Sequence, residues 1–283
     1  MTSAHKPRAG ERISNPPPTE HRTTRLLRRR ILRWFERSNR PLPWRRDPTP
    51  YRVWISEIML QQTRSQTVIP YYNRFIERYP DVAALARASE PDVLALWSGL
   101  GYYRRAQNIL KAARQILQRH GGRFPADYKT ILSLPGIGRY TAGAICSIAF
   151  DQPQPVVDGN IRRVIARLLG IRRRIPERFF WDRMAAWIPQ EQASAFNQAM
   201  MELGAVLCLP SGPLCPQCPV RALCRARLGN LQHSIPPSKP RRNDCRIELV
   251  ILAMGHKGSL LLVRQEGSYI PGEWALPHQQ VPA

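Results

Sequence analysis

The segment from Leu134 to Asn160 begins with Leu-Pro-Gly-Ile-Gly-Arg-Tyr-Thr-Ala-Gly (residues 134–143) and ends with Val-Val-Asp-Gly-Asn (residues 156–160). A Pro-Gly-x-Gly turn that leads into small apolar residues predicts a helix with unpaired N–H groups at its start. Because glycine has no Cβ atom, an anion can approach those N–H groups closely. With a short helix predicted just before it, near residues 128–133, the segment indicates a helix-hairpin-helix. Its predicted phosphate-binding residues are Gly136, Ile137, Gly138 and Arg139.

Two carboxylates lie in contrasting sequence surroundings. Asp158 follows the hairpin segment in a turn-forming Asp-Gly-Asn sequence that ends at Asn160. Glu57 lies among apolar residues of a helix predicted over residues 51–65. An unpaired carboxylate is costly to bury, so Glu57 is either paired or has a shifted pKa. A phosphate-binding turn beside a placed acid indicates chemistry on a nucleic acid.

The composition favours a polyanionic partner. The chain of 283 residues has a formal net charge of +23 and a pI near 11.0. Basic side chains that neutralise phosphates release counterions, which drives association. A membrane surface is the competing partner, but the sequence has no run of about 18 apolar residues and no signal peptide. We expect a cytoplasmic, nucleoid-associated monomer that makes no membrane contact.

The chain divides into segments of different composition. Residues 1–24 are polar and proline-rich and are predicted to be disordered. Residues 25–225 are predicted to form an all-α domain, because helical periodicity runs through them without strand-like alternation. Residues 226–244 contain three prolines and are predicted to be a linker. In residues 245–283, two aliphatic runs around the turn at 255–258 predict a hairpin.

Two segments of the predicted all-α domain stand out. Residues 25–40 place arginines around one apolar stripe, which predicts an amphipathic helix with a basic face. That face is either solvated or in contact with phosphates. Residues 41–50 contain four prolines and are predicted to be non-helical, so that Trp44 and Arg45 can line a pocket for a base.

Four cysteines lie within seventeen residues, in the pattern C-x6-C-x2-C-x5-C, directly after the last predicted core helix. Thiols grouped in this way in a reducing cytosol indicate a metal site rather than disulfides. Zinc and an iron–sulfur cluster both accept four sulfur ligands, and the single C-x2-C pair favours the cluster without excluding zinc. The predicted ligands are Cys208, Cys215, Cys218 and Cys224.

Five motifs, in order along about residues 30–230, resemble those of the MutY family of adenine DNA glycosylases in the helix-hairpin-helix superfamily. They are Ser-Glu-Ile-Met-Leu-Gln-Gln-Thr (56–63), Gly-Leu-Gly-Tyr-Tyr (99–103), the hairpin segment (134–143), Val-Asp-Gly-Asn (157–160) and the cysteine spacing. The resemblance implies two helical subdomains with the active site in the cleft between them. It also implies removal of adenine opposite 8-oxoguanine or guanine in double-stranded DNA, a [4Fe–4S] cluster on the four cysteines and a monovalent cation at the hairpin.

The same resemblance implies roles for individual residues. Glu57 protonates the adenine as it leaves, and Asp158, with Asn160 beside it, stabilises the sugar cation. The flipped base leaves a gap in the duplex that the protein must fill. The implied wedge residues are Gln62, Leu100 and Tyr102. The implied residues of the adenine pocket are Trp44, Arg45 and Glu202.

Position 140 separates two kinds of enzyme within the superfamily. Endonuclease III-like members carry a lysine there, whose amine forms a Schiff base and permits strand cleavage. The chain has Tyr140 at this position, and a phenol cannot form an imine. We therefore expect a monofunctional glycosylase that leaves the abasic strand uncut.

The C-terminal segment departs from the family pattern. In the family, a MutT-like (Nudix-like) α/β domain reads the 8-oxoguanine strand, and residues 245–283 resemble only its first strands. We therefore expect a weaker preference for 8-oxoguanine over guanine.

Two other functions stay open. One is thymine removal from G·T mismatches, by relatives that share the helical core and the tyrosine; the MutT-like segment argues against it. The other is a non-catalytic DNA-binding protein, which the presence of both Glu57 and Asp158 argues against.

Overall fold

The structure is a computed structural model that describes residues 18–237, 249–256, 258–264 and 274–280. The chain forms two compact units, residues 1–238 and 239–283. Within the described residues the larger unit is helical and all strands follow residue 248, which confirms the predicted all-α body. None of the described helices is long and apolar enough to cross a bilayer.

The described part of the larger unit contains thirteen α-helices and two short 3-10 helices. The α-helices are α1 (Pro18–Ser38), α2 (Pro43–Arg46), α3 (Pro50–Leu60), α4 (Ser65–Arg78), α5 (Val82–Ala86), α6 (Glu90–Trp97), α7 (Arg104–His120), α8 (Tyr128–Leu132), α9 (Arg139–Phe150), α10 (Gly159–Leu169), α11 (Glu177–Trp187), α12 (Ala193–Val206) and α13 (Arg225–Leu228). The 3-10 helices span Cys215–Gln217 and Arg221–Leu223.

The apolar side chains of this unit form two cores. The first core lies among α2 to α9 and includes Trp54, Phe75 and Trp97. The second core is built from α1, α9 to α13 and their loops, and includes Ile31 and Phe196. Helix α9 belongs to both cores because its small residues allow close packing on opposite sides. The helix that follows the hairpin therefore joins two helical subdomains.

Two predicted boundaries near the N-terminus are wrong. Helix α1 begins at Pro18, so residues 18–24 are helical rather than disordered, whereas residues 1–17 lie outside the described residues. The proline-rich segment 41–50 contains the short helix α2, which begins at Pro43. Both helices start with proline, which fits the first helical position because the missing N–H has no partner there.

The predicted linker over residues 226–244 starts too early. Residues 226–228 belong to α13, and both Ala226 and Ile235 are buried in the second core. The Nε of Arg167 donates a hydrogen bond to the carbonyl oxygen of Ile235 over 2.8 Å. The chain therefore stays attached to the helical unit as far as Ile235, and residues 238–248 lie outside the described residues.

The described residues of the smaller unit form three antiparallel pairs of short strands. Strand β1 (Leu249–Ile251) pairs with β6 (His278–Gln280), β2 (Gly255–His256) with β3 (Ser259–Leu260), and β4 (Val263–Arg264) with β5 (Trp274–Ala275). A hairpin is present at the predicted place, but β2 falls within the predicted turn, and the two predicted runs pair mainly with other strands, β1 with β6 and β4 with β5. The neighbouring apolar side chains remain exposed, Val250 and Trp274 among them, so these described strands bury little core.

Candidate active site

A cleft of about 650 Å³ lies between the two cores of the helical unit. Helices α3 and α9 line it on one side, and α12 with the N-terminus of α10 lines it on the other. Eight predicted site residues line it: Trp44, Arg45, Glu57, Gln62, Tyr140, Asp158, Asn160 and Glu202. The fold therefore brings together ionisable side chains that are far apart in the sequence.

Glu57 is a buried carboxyl group in the cleft, close to Tyr140 and Asp158. It lies on α3, where residues 53–59 are all buried, and it is 4% exposed. Burial raises its pKa to about 7, and the charge of Asp158 adds to the effect, while the Tyr140 phenol and Arg45 partly oppose it. Glu57 therefore holds a proton at neutral pH far more readily than an ordinary glutamate does, which suits a general acid.

Asp158 is the N-cap of helix α10. One carboxylate oxygen accepts a hydrogen bond from the backbone N–H of Ile161 over 2.7 Å, and the other accepts one from the Asn160 side-chain amide over 3.1 Å. An aspartate at this position is favoured because it satisfies N–H groups that have no partner within the helix. The cap fixes the carboxylate at the edge of the cleft, in a more polar setting than Glu57.

Gly143 determines how closely the segment before Asp158 crosses helix α9. A Cβ atom at this glycine would lie 2.5 Å from the carbonyl oxygen of Pro155. Real side chains do not tolerate that distance, so the backbone at residues 155–157 can pass this close only because position 143 is glycine. The small-residue helix after the hairpin thus helps to place Asp158 opposite Glu57.

Tyr140 lies close to both carboxylates. Its phenol forms a hydrogen bond with Glu57, and the burial of the ring together with the charges of Glu57 and Asp158 holds the phenol pKa well above its ordinary value. The hydroxyl therefore remains protonated and donates to the Glu57 carboxylate. It also lies 3.9 Å from the sulfur of Met201 on α12.

Glu202 forms a buried cluster with two arginines. The Arg40 guanidinium donates to both carboxylate oxygens, over 2.5 and 3.0 Å, and Arg45 donates to Oε2 over 2.8 Å. Glu202 is 1% exposed. Burial alone would raise its pKa, but the hydrogen bonds and charges of the two arginines outweigh burial and lower it. Sequence reasoning identified Glu202 and Arg45 but missed Arg40, which follows α1 without any distinguishing motif.

Trp44 lines the cleft and also packs in the first core. Its ring meets Tyr72 edge to face with a centroid distance of 5.3 Å, and only 6% of Trp44 is exposed. The residue therefore presents an edge to the cleft while its position is fixed by packing.

The predicted wedge residues lie on two neighbouring loops. Gln62 (φ 57°) and Tyr102 (φ 51°) both adopt left-handed backbone conformations, which are strained for residues other than glycine. Tyr102 is 60% exposed, whereas Leu100 is 6% exposed and belongs to the first core. In this structure Tyr102 protrudes as a wedge requires, and Leu100 instead anchors its loop.

Arg105 joins the two wedge loops. Its NH1 donates to the carbonyl oxygens of Ile58, Met59 and Gln61, and its NH2 donates to those of Leu100 and Gly101. The same guanidinium lies 5.3 Å from the centre of the Tyr102 ring. One side chain therefore holds the end of α3 against the loop that carries Tyr102, and nothing in the sequence pattern pointed to it.

The hairpin turn has the predicted form. The N–H of Ile137 donates to the carbonyl oxygen of Leu134 over 3.1 Å, and Gly136 has a φ of 77°. Gly138 is the N-cap of α9 and provides no side-chain cap, so the first N–H groups of that helix are open to an anion. The Arg139 guanidinium lies 3.9 Å from the centre of the Trp181 ring, which orients it beside the turn.

The four predicted metal ligands surround the two 3-10 helices. All four cysteines are free thiols and partly buried. Burial raises the pKa of Cys218 to about 12, and the charges of the other three thiolates contribute. Among the described residues, however, no three Cys, His, Asp or Glu side chains form a ready site for a single metal ion. The thiols are thus near enough to influence one another but are not grouped around one ion.

Two arginines of α10 connect the cysteine loop to the catalytic turn. Arg163 donates to the Asn160 side chain over 2.9 Å and to the carbonyl oxygen of Cys208 over 2.8 Å. One turn later, Arg167 donates to the sulfur of Cys208 over 3.4 Å and to the carbonyl oxygen of Leu209 over 2.6 Å. Sequence reasoning missed both residues, because arginines are abundant throughout the chain.

Comparison with known proteins identifies the domain that carries this cleft. The family model described as HhH-GPD superfamily base excision DNA repair protein matches residues 55–189. The matched range contains Glu57, the hairpin and Asp158. Residues 55–189 of the chain are therefore similar to the HhH-GPD superfamily. Helices α1, α12 and α13 and the cysteine loop lie outside the range of the HhH-GPD model.

Individual relatives extend the similarity beyond the HhH-GPD range. The chain is 44% identical over 236 residues to adenine DNA glycosylase of Rattus norvegicus, covering 78% of this chain and 46% of the rat protein. Among solved structures it resembles a thermostable thymine-DNA glycosylase (TM-score 0.69, 27% identity, 75% and 99% of the two chains) and endonuclease III in a non-covalent DNA complex (TM-score 0.64, 25% identity, 75% and 98%). The chain spans about half the length of the mammalian relatives it matches.

Proposed function

We propose that this protein is a monofunctional DNA glycosylase that removes adenine mispaired with 8-oxoguanine or guanine. The observation that carries the proposal is the pair of carboxyl groups in one cleft: Glu57, buried with a pKa near 7, and Asp158, held by hydrogen bonds at a helix N-terminus. Adenine DNA glycosylases are among the relatives that are similar in sequence, at 42–44% identity, which supports adenine as the base.

The two carboxyl groups suit the two demands of N-glycosidic bond hydrolysis. The departing base must gain a proton, and the sugar must be stabilised as it becomes positively charged. Protonated Glu57 gives its proton to the adenine ring, which weakens the bond between base and sugar. Asp158 presents negative charge to the developing cation. After the base has left, the Glu57 carboxylate accepts a proton from the attacking water.

Tyr140 affects the protonation of Glu57 and determines that the product is an abasic site. Its phenol hydrogen-bonds to Glu57, and the charges of both carboxylates raise the phenol pKa. It holds a proton firmly and has no amine, so it cannot attack the sugar to form an imine. The reaction therefore ends at an abasic site with the strand uncut.

The Glu202 cluster supplies a basis for choosing adenine. Oε1 of Glu202 accepts one hydrogen bond from Arg40 and retains a second acceptor site. An acceptor fixed in this way suits the exocyclic amino group of adenine, whereas the corresponding group of thymine is a carbonyl acceptor. Arg45 and the edge of Trp44 border the same space.

The cysteine loop supplies a ligand set that suits an iron–sulfur cluster. Its four thiols are near enough to affect one another's pKa values, and four thiolates are the ligands that such a cluster takes. Cys208, Cys215, Cys218 and Cys224 would hold a [4Fe–4S] cluster, which supplies the loop with a rigid framework when bound.

Thymine removal is the second candidate, because the thymine-DNA glycosylase structure matches almost over its whole length. Single-turnover base release from otherwise identical duplexes containing A opposite 8-oxoguanine, A opposite guanine or T opposite guanine separates the candidates. We expect adenine release from the first two and no thymine release. Release of thymine alone would establish the second candidate, and binding without release of either base would leave only a DNA-binding role. Glu57→Gln, which keeps the shape of the side chain, is the matched inactive control.

A further inference from the structure

Helix α1 carries an arginine row that the catalytic cleft does not use. Arg25, Arg29, Arg33 and Arg37 follow one another at intervals of four residues, so they are neighbours about 6 Å apart along the helix axis. The apolar side chains of the helix, Ile31 among them, are buried in the second core. The row therefore faces away from the core and extends over about 18 Å.

The C-terminal half of this row forms one wall of a groove of about 480 Å³. Arg29, Arg33 and Arg37 lie on that wall together with Arg30 and the half-buried Trp34. The opposite wall is the cysteine loop, which contributes Gln217 and Pro219. The groove is thus a concave, strongly basic surface between two elements outside the matched HhH-GPD range.

The charges in this groove lack acidic partners among the described residues, where none of Arg29, Arg33 and Arg37 forms an ion pair. Neighbouring arginines of the same segment do have partners: Arg28 donates to three carbonyl oxygens at the end of α11, and Arg40 pairs with Glu202. Like charges at i and i+4 destabilise a helix. Repulsion within this row therefore destabilises the helix in the free protein, and a bound polyanion would reduce that repulsion.

We propose that the groove between α1 and the cysteine loop binds the sugar–phosphate backbone of duplex DNA, as a second contact surface outside the cleft. The groove and the cleft include residues that are close in the sequence, because Arg37 lines the groove and Arg40, three residues later, lines the cleft. Three residues span at most about 11 Å, so one duplex can reach both. The inference rests on the proposed function only in that the partner is DNA.

The groove contributes affinity and not chemistry. Phosphates follow one another every ~3.4 Å of axis along one strand, so a row about 18 Å long can meet several of them. Guanidinium groups bind phosphates with paired hydrogen bonds and read no sequence. The contact therefore strengthens binding to any duplex and leaves the step at Glu57 unchanged.

The test is the salt dependence of duplex binding by the full chain. Arg29→Gln, Arg33→Gln and Arg37→Gln are combined in one variant. The charge-matched control combines Arg87→Gln, Arg119→Gln and Arg123→Gln, three exposed arginines on the first subdomain. Three lost phosphate contacts reduce the slope of log K against log salt by about 2.7 and weaken binding on the order of 100-fold at 0.15 M salt. The melting temperature and the single-turnover rate at saturating protein stay unchanged.

The outcomes separate this inference from the proposed function. An unchanged slope in the groove variant, or an equal loss in the control, would overturn the groove as a DNA surface; an unchanged slope is also the result if the groove serves an acidic protein. Failure of the unaltered chain to release adenine would instead reject the proposed function, and a reduced slope would still support the groove.

Discussion

Replacing Glu57 with glutamine should stabilise the protein while it abolishes base release. Glutamine has nearly the shape of a protonated glutamate and cannot ionise. In the folded protein burial raises the pKa of Glu57 from the ordinary 4.5 to about 7. The folded state therefore holds the Glu57 proton more tightly than the unfolded state does, and native stability falls as pH rises from 4.5 through 7. The glutamine variant cannot ionise at this position, so it does not lose this stability as the pH rises.

The difference between the two pKa values gives the size of the effect. At about 1.4 kcal/mol per pH unit, ionising Glu57 in the folded protein costs about 3 kcal/mol above pH 8 and almost nothing below pH 4.5. A domain of this size gains about 2–4 °C in melting temperature per kcal/mol. Glu57→Gln should therefore melt on the order of 10 °C higher than the unaltered protein at pH 8, with a difference that shrinks toward pH 5.

Thermal unfolding of both proteins from pH 5 to pH 9 measures this difference, since all other titrating groups are common to the pair. Glu191→Gln, which removes an exposed carboxylate, is the matched control. A constant difference between Glu57→Gln and the unaltered protein across the range would refute a raised Glu57 pKa. A lower melting temperature of Glu57→Gln than of the unaltered protein at pH 8 would show that neighbouring groups stabilise the ionised Glu57 carboxylate in the folded state.

Three further predictions follow from the site. The single-turnover rate of adenine release should be flat below pH 7 and fall tenfold per unit above about pH 8, because only protonated Glu57 donates; a rate that rises with pH would contradict this role. Arg105 donates hydrogen bonds to five carbonyl groups of the wedge loops, so Arg105→Met should lower base release from duplex DNA at least tenfold with near-normal duplex binding. Arg105→Lys should recover part of the loss. Equal activity of the unaltered protein and both variants would show that Arg105 does not act in base flipping. Gly143→Ala should cost about 1–3 kcal/mol of unfolding free energy and reduce base release, because its Cβ atom collides with the backbone of Pro155 before Asp158; unaltered melting and activity would show that the segment shifts freely.

Local signals in the sequence were sufficient for much of this site. The glycines of the hairpin, the apolar surroundings of Glu57 and the Asp-Gly-Asn turn each act within a few residues, so spacing alone predicted their structures. Their assembly into one cleft came from the family resemblance, since no local pattern shows that residues 57, 140 and 158 meet.

The arginines show where sequence reasoning ended. Arg40, Arg105 and Arg163 are partly or largely buried and bind specific carboxylate or carbonyl groups, but the chain has 43 lysines and arginines and most are on the surface. Whether an arginine is buried depends on partners distant in the sequence. The helix starts at Pro18 and Pro43 were missed for different reasons. Residues 18–24 were assigned to disorder because the N-terminal segment is polar and proline-rich. At Pro43 proline was treated as a helix breaker, although it is well tolerated at the first helical position.

The central claim is that Glu57 and Asp158 release adenine and that Tyr140 leaves the strand intact. The most direct test is a single turnover on a duplex with A opposite 8-oxoguanine, in which the A-containing strand is end-labelled and analysed with and without hot alkali. We expect free adenine and a labelled strand that breaks only after alkali. A strand cut without alkali, or a strand that resists alkali because no abasic site has formed, would contradict this claim.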